Sequence, residues 1–210
     1  MTAQEFPAKK PRKERKENAD KRRRQLLDAA LRSIEHNGLA KTTLATVASE
    51  AGLSQGVAVF YYKSKNGLLT ATLEDLYQKY EDHWRNALTA AAPDPRSRLI
   101  ALIEADFDDE ICNRELLSVW FSFWGEQNFT PQYASITQQF DNNRVTAIEE
   151  ICREFFSEDG QFKARQMSEW IDTLTDGYWQ RMHLYPGICT RETALKGTHA
   201  FLSHMLPDHF

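Results

Sequence analysis

Cysteine is scarce in this 210-residue chain, with only Cys112, Cys152 and Cys189, far apart and without a CxxC pair. An odd, scattered set excludes a disulfide framework and argues against a structural zinc site. The three read as partly buried thiols in a reducing cytosol. Apolar runs are short too, and none approaches the roughly 18 residues that a membrane span needs. The first residues are polar and basic with no apolar stretch behind them, which speaks against a secretory signal. β-Hairpin turn signals are nearly absent, so sheet architectures fall away. Neither GxGxxG, a Walker loop nor HExxH occurs, and no Glu-x-x-His pair suggests a di-metal bundle. The expectation is a chain that is no enzyme and carries no cofactor or metal. The acidic run Asp106, Asp108, Asp109, Glu110 reads as a solvated face, since carboxylates so spaced diverge on a helix.

What is present is ordinary globular material, 41% hydrophobic and 27% charged, too apolar for a disordered chain. The net charge of −4 hides an asymmetry: residues 1–65 carry +7 and residues 66–210 carry −11. A basic head on an acidic body suggests that the head meets a polyanion. The cations are densest in Lys9-Lys10-Pro11-Arg12-Lys13 and Lys21-Arg22-Arg23-Arg24. Residues 1–20 therefore read as a flexible basic arm that can still hold phosphates through counterion release.

Helical periodicity dominates the rest. Leu26, Leu27, Ala30, Leu31 and Ile34 define a first helix, stopped near Gly38. Thr42 or Thr43 can cap a short second helix, and Ser54 a third, about residues 55–61. A fourth runs from Lys65 to about Ala91, ended by Pro93-Asp94-Pro95. Five more follow, about 96–110, 114–128, 131–156, 164–184 and 191–206. The fold class is all-α, about nine helices: a three-helix head over 21–66 and a helical bundle over 67–210.

Helices two and three carry the information. Ala48 is small where the helices press together, Gly52 accepts a left-handed turn, and Leu53 plugs the corner. That sequence of residues, over about 43–62, predicts a helix-turn-helix.

The stretches Gly38-Leu39-Ala40-Lys41-Thr42-Thr43, Val47-Ala48, Ala51-Gly52-Leu53-Ser54-Gln55-Gly56 and Tyr61-Tyr62-Lys63-Ser64-Lys65-Asn66-Gly67-Leu68-Leu69 resemble the TetR family of transcriptional repressors. Within it, Ala105-Asp106-Phe107-Asp108-Asp109, Trp120-Phe121-Ser122-Phe123-Trp124 and residues 171–179 are similar to the choline-sensing repressors of glycine betaine synthesis. The resemblance implies a homodimer with a small DNA reader, a larger ligand and dimerisation domain, and a near-palindromic double-stranded operator.

A recognition helix enters the major groove by its N-terminal end, so Ser54, Gln55, Gly56 and Val57 are expected to face DNA. Gln55 suits an adenine edge and Val57 a thymine methyl. The family usually has a cation at 55 and a tyrosine at 59; Gln and Val stand here, so base preference cannot be transferred. Phe60 and Tyr61 lie one turn on; one is expected to pack inward, and the Tyr61 hydroxyl to hold a phosphate. Thr43 and Lys65 resemble the family's phosphate contacts, with capping and solvation as their plainer roles.

In the body, Trp120, Phe123 and Trp124 share a helix face, and Asp172, Asp176 and Trp179 lie on another helix. Aromatic stripes are commonly core, but rings can also cage a quaternary ammonium, which has no N–H to donate. The candidate ligand residues are Asp106, Trp120, Phe123, Trp124, Asp176 and Trp179, with Asp106 or Asp176 as the counter-charge and choline as the effector. The last two long helices, with Ile171, Leu174, Tyr178, Leu195, Phe201 and Met205, are expected to pair with a second copy. The fourth helix, shared by head and body, is expected to carry the ligand signal.

Overall fold

The computed structural model describes residues 12–156 and 160–210, and among them every regular element is an α-helix. The run Lys9–Pro11 lies outside the described residues. The chain divides into two compact units within one helix, between Thr72 and Leu73, six residues beyond the boundary expected from sequence.

The first unit begins with α1 (Arg12–Lys41). Its start at Arg12 makes residues 12–20 helical, where the sequence pointed to a flexible arm; their alternating acids and cations are compatible with helix. Gly38 interrupts the helical geometry with φ 73° and ψ 167°, a conformation that disfavours a Cβ. α2 (Leu44–Glu50) is closed by a reciprocal cap: Thr43 Oγ1 accepts from Thr46 N–H (3.1 Å), and Thr43 N–H donates to Thr46 Oγ1 (2.8 Å). Thr42 is buried instead, its hydroxyl on the Gly38 carbonyl at 2.9 Å. α3 (Gln55–Tyr62) follows the turn at Gly52, φ 65°. Leu26, Ala29, Ala30, Val47, Ala48, Ala58 and Leu68 form the core, with Leu53 packed at the turn.

α4 (Lys65–Ala90) supplies residues to both units. The second unit continues with α5 (Pro95–Asp106), α6 (Arg114–Glu126), α7 (Pro131–Arg153), α8 (Gln161–Leu184) and α9 (Arg191–Met205). Side chains start three of them: Asp94 accepts from Ser97 N–H, Asn113 from Leu116 N–H and Thr190 from Thr193 N–H. Leu99, Leu102, Ile103, Phe107, Leu117, Ile148, Ile171 and Leu202 are fully or almost fully buried between these helices.

Candidate functional site

In the first unit, α3 shows an outer face of Gln55, Gly56, Val59 and Phe60, all exposed and spaced one turn apart in pairs. Ala58 is buried, and Val57, Tyr61 and Tyr62 pack against the core. This corrects the register on one point: Val57, expected outside, turns inward, and Val59 is the outward valine. The Phe60–Tyr61 alternative resolves as Phe60 outside and Tyr61 half-buried, with Arg23 over the Tyr61 ring at 5.5 Å.

Ser54 occupies the cap position of α3, but its side chain makes no cap hydrogen bond. The first N–H groups of α3 thus carry the positive end of the helix dipole without a side-chain acceptor at the cap. Thr43 is engaged in the cap of α2. Lys65 is neither solvated nor free: its Nζ donates to the carbonyls of Leu39 (2.7 Å) and Ala40 (2.8 Å), closing the end of α1. The string Gly52-Leu53-Ser54-Gln55-Gly56 also spells G-x-S-x-G, but a hydrolase elbow follows a strand, and α2 stands there.

In the second unit, four rings from three helices surround Trp120. Its ring centroid lies 4.7 Å from Tyr77, 6.0 Å from Tyr80, 6.3 Å from Trp124 and 5.8 Å from Trp179. Trp124 and Trp179 are near parallel at 6.2 Å. Two indole N–H groups are fixed, Trp179 on the Asp106 backbone carbonyl (2.9 Å) and Trp124 on the Tyr77 hydroxyl (3.1 Å). The buried Trp120 Nε1–H has no partner among the described residues. Phe123 points away from this group, edge-on to Tyr133 at 5.2 Å, so it belongs to the core.

Beside the rings lies an acidic network with a single buried cation. Arg144 reaches both oxygens of Asp106, one oxygen of Asp172 and the Thr175 hydroxyl. Tyr80 donates to Asp106 at 2.7 Å. Burial alone would lower the Arg144 pKa, but the charges of Asp106, Tyr80 and Asp172 hold it above its ordinary value. Asp106 is therefore committed to Arg144 and Tyr80, which corrects its expected role as counter-charge. Asp141 and Asp176 are the carboxyls left over. Burial, then the Asp172 charge, pushes each up to about 7, against the partial relief that Arg144 gives. Both side chains are nevertheless exposed to solvent.

The sequence reading missed Tyr77, Tyr80, Asp141 and Arg144. A signal for Arg144 exists: Ile136, Phe140, Arg144 and Ile148 stand four apart on α7, and an arginine within an apolar stripe marks a buried ion pair. The acidic run after α5 also departs from expectation, since Asp106 is buried while Asp108 to Glu110 follow the helix end.

A second feature of this unit is a groove of about 1060 Å³ between α8 and α9, lined mainly by apolar groups including Trp170, Leu174, Tyr178, Ile188, Phe201 and Met205. Ile171, expected there, is buried within its own chain instead. No described helix is long and apolar enough to cross a membrane, and no cluster of metal-ligating side chains occurs among the described residues.

A basic helix-turn-helix unit joined to a helical unit with a ring-lined acidic site is the plan of a ligand-responsive transcriptional regulator. Residues 26–72 match the family described as bacterial regulatory proteins, tetR family, and residues 95–207 match the BetI-type transcriptional repressor, C-terminal. The chain is 35% identical over 185 residues to the HTH-type transcriptional regulator BetI of Burkholderia cenocepacia, covering 88% of this chain and 94% of that one. The protein from Burkholderia thailandensis with the same description is 33% identical over equal coverage of this chain. Among solved structures, a transcriptional regulator from Pseudomonas aeruginosa PAO1 shares the fold with a TM-score of 0.80 at 22% identity, over 90% and 91% of the two chains. A regulator from Saccharomonospora viridis in complex with choline superposes with a TM-score of 0.76 at 22% identity, over 88% and 97%. The chain belongs to the TetR family, as a transcriptional repressor with a BetI-type C-terminal domain.

Proposed function

We propose that this repressor binds a near-palindromic operator as a homodimer, that choline is its effector, and that it controls genes of glycine betaine synthesis. The observation that carries the ligand reading is the balance of charge at the ring cluster. Asp106 and Asp172 share one arginine, and Asp141 and Asp176 have none to themselves. A site of aromatic faces with surplus carboxylate favours a cation that is attracted without donating hydrogen bonds. Ring faces each contribute about 0.5–2 kcal/mol to such a cation. The unpartnered Trp120 Nε1–H suits an acceptor oxygen on the same ligand, as in the hydroxyl of choline. The choline complex of the Saccharomonospora viridis regulator supports the choice of ligand.

Gln55, Gly56, Val59 and Phe60 form the face that reads bases, with the free N–H groups at the start of α3 on a phosphate. The α8–α9 groove, apolar and flanked by exposed Trp170 and Ile188, is the surface that meets the second copy. α4 holds Leu68 in the core of the first unit and Tyr77 and Tyr80 at the ring cluster of the second, so it is the covalent element through which choline biases operator affinity.

A gel shift on the DNA flanking the protein's own gene tests this. Binding should exceed that to unrelated duplex by at least about 10³-fold, and saturating choline should weaken it about 5–150-fold. Equal binding to all duplexes sinks the operator reading. Operator binding indifferent to choline but released by another quaternary ammonium leaves the repressor and replaces the effector.

A further inference from the structure

The outer face of α3 has an unusual chemistry for a surface meant to meet a polyanion. Two of its four residues are large and apolar: Phe60 is 67% exposed and Val59 is 41% exposed. Neither has a hydrogen-bonding side chain. Surface exposure of one such residue is unremarkable, but two adjacent ones on an eight-residue helix give that helix a hydrophobic outer edge. The patch is too small to hold a membrane or a folded protein partner, and its surroundings are cationic. Lys63 Nζ lies 5.2 Å from the Phe60 ring centroid and is anchored on the Phe60 carbonyl at 2.7 Å. An apolar spot edged by an ammonium matches one recurring surface: the thymine C5-methyl in the major groove, with phosphates alongside.

We propose that Phe60 and Val59 read thymine methyl groups, so that the repressor selects A·T pairs at those positions by apolar contact. The inference rests on the operator reading above and adds to it the base that is recognised and the residues that recognise it. Gln55, one turn before Val59 on the same face, complements them. Its amide is suited to the N6 and N7 edge of adenine, the partner base in the same pair. One stripe of α3 thus addresses both bases of an A·T pair, the adenine by hydrogen bonds and the thymine by its methyl. Lys63 holds the Phe60 ring on this edge and keeps a positive charge beside it for the adjoining phosphate.

The test removes the methyl and nothing else. Within the duplex protected in a footprint, each thymine is replaced in turn by deoxyuridine, which keeps base pairing and hydrogen-bonding edges. Affinity is measured by fluorescence anisotropy for the native protein, Phe60→Ala, Phe60→Leu and Val59→Ala. One or two thymines per half-site should lose about 3–10-fold in affinity on replacement, the range expected for one buried methyl. At the thymine that Phe60 reads, Phe60→Ala should bind thymine and uracil duplexes alike and Phe60→Leu should keep part of the difference, while a second thymine read by Val59 should keep its penalty in both and lose it in Val59→Ala. Because Phe60 and Val59 are exposed, the variants should keep the native helical circular dichroism. Uniform indifference of the native protein to uracil overturns the inference, as does a uracil penalty that neither Phe60→Ala nor Val59→Ala diminishes at any thymine. If no duplex is protected at all, the operator reading falls and this one with it, whereas protection without a methyl effect removes this inference alone.

Discussion

Arg144 meets both carboxylate oxygens of Asp106, and both side chains are almost completely buried. The pair joins the end of α5 to the middle of α7, and Tyr80 from α4 and Asp172 from α8 complete it. A charge taken out of water is tolerable only with its partner present. This network therefore fixes four helices around the ring cluster.

Replacing Arg144 by Met should destabilise the protein by about 3–5 kcal/mol, the cost of leaving Asp106 buried without its cation. Urea denaturation reads the loss. The double variant Asp106→Leu with Arg144→Met should recover part of it, because it removes both charges together. A single variant as stable as the native protein would mean that Asp106 is not held by Arg144.

The pH dependence follows from Asp141 and Asp176. Their folded pKa values, about 7, lie above the ordinary carboxyl value of 3.8. The folded state thus binds more protons than the unfolded one between those values, and stability without ligand falls as pH rises from about 4 to 7. A cation in the site favours the ionised carboxyls, so choline affinity should rise through pH 7 and level off above it. Calorimetry at pH 5.5, 7 and 8.5 checks this, and binding near pH 7 should release protons to the buffer. Asp176→Asn should weaken choline at pH 8.5 and reduce the proton release.

The rings make a separable prediction. Trp124 is half-buried and borders Trp120 and Trp179. Trp124→Ala should reduce choline affinity by about 0.5–2 kcal/mol, roughly twofold to thirtyfold. Phe123→Leu changes a ring that faces Tyr133 instead, and should leave choline affinity within twofold of native (about 0.4 kcal/mol).

The sequence was most legible where local geometry dictates residue type. Gly52 with φ 65°, Ala48 and Leu53 are a turn that few other residues satisfy, and Thr43, one of two cap candidates, does start α2. Rotation of a short helix was harder. α3 has only two turns, its residues are largely apolar on every side, and so periodicity did not separate the inward Val57 from the outward Val59. Asp106 was legible as special but not in its role, because its partner stands 38 residues away on α7. Long-range charge pairing leaves no local trace except an arginine in an apolar stripe. The internal contacts of Lys65 left no trace either: its acceptors, at Leu39 and Ala40, are backbone atoms that any sequence would supply.

That assignment of Lys65 is itself open to measurement. Its ammonium closes the C-terminal end of α1, where the carbonyls are negative. Lys65→Met should lower stability by about 1–3 kcal/mol in the absence of DNA, for two charge-assisted hydrogen bonds lost. A side chain that served only a phosphate would leave denaturation unchanged and act on operator binding alone. The two roles thus separate without any DNA in the cuvette.

Two glycines contrast in the same way. A Cβ at Gly67 would stand 2.4 Å from the carbonyl oxygen of Tyr62, within the first unit, and that oxygen is backbone at the end of α3. It cannot turn aside, so α3 and α4 must part. Gly67→Ala should cost about 1–3 kcal/mol by overpacking and should disturb the base-reading helix directly. A Cβ at Gly197 would meet the Tyr178 hydroxyl at 1.8 Å, a closer clash, but against the tip of a side chain that can swing away. Tyr178 lines the α8–α9 groove, and its displaced ring would enter it. Gly197→Ala should therefore keep the fold with a smaller stability loss and weaken self-association, measured by sedimentation. If Gly197→Ala proves the more destabilising of the two while self-association is unchanged, the groove is not the surface where two copies meet.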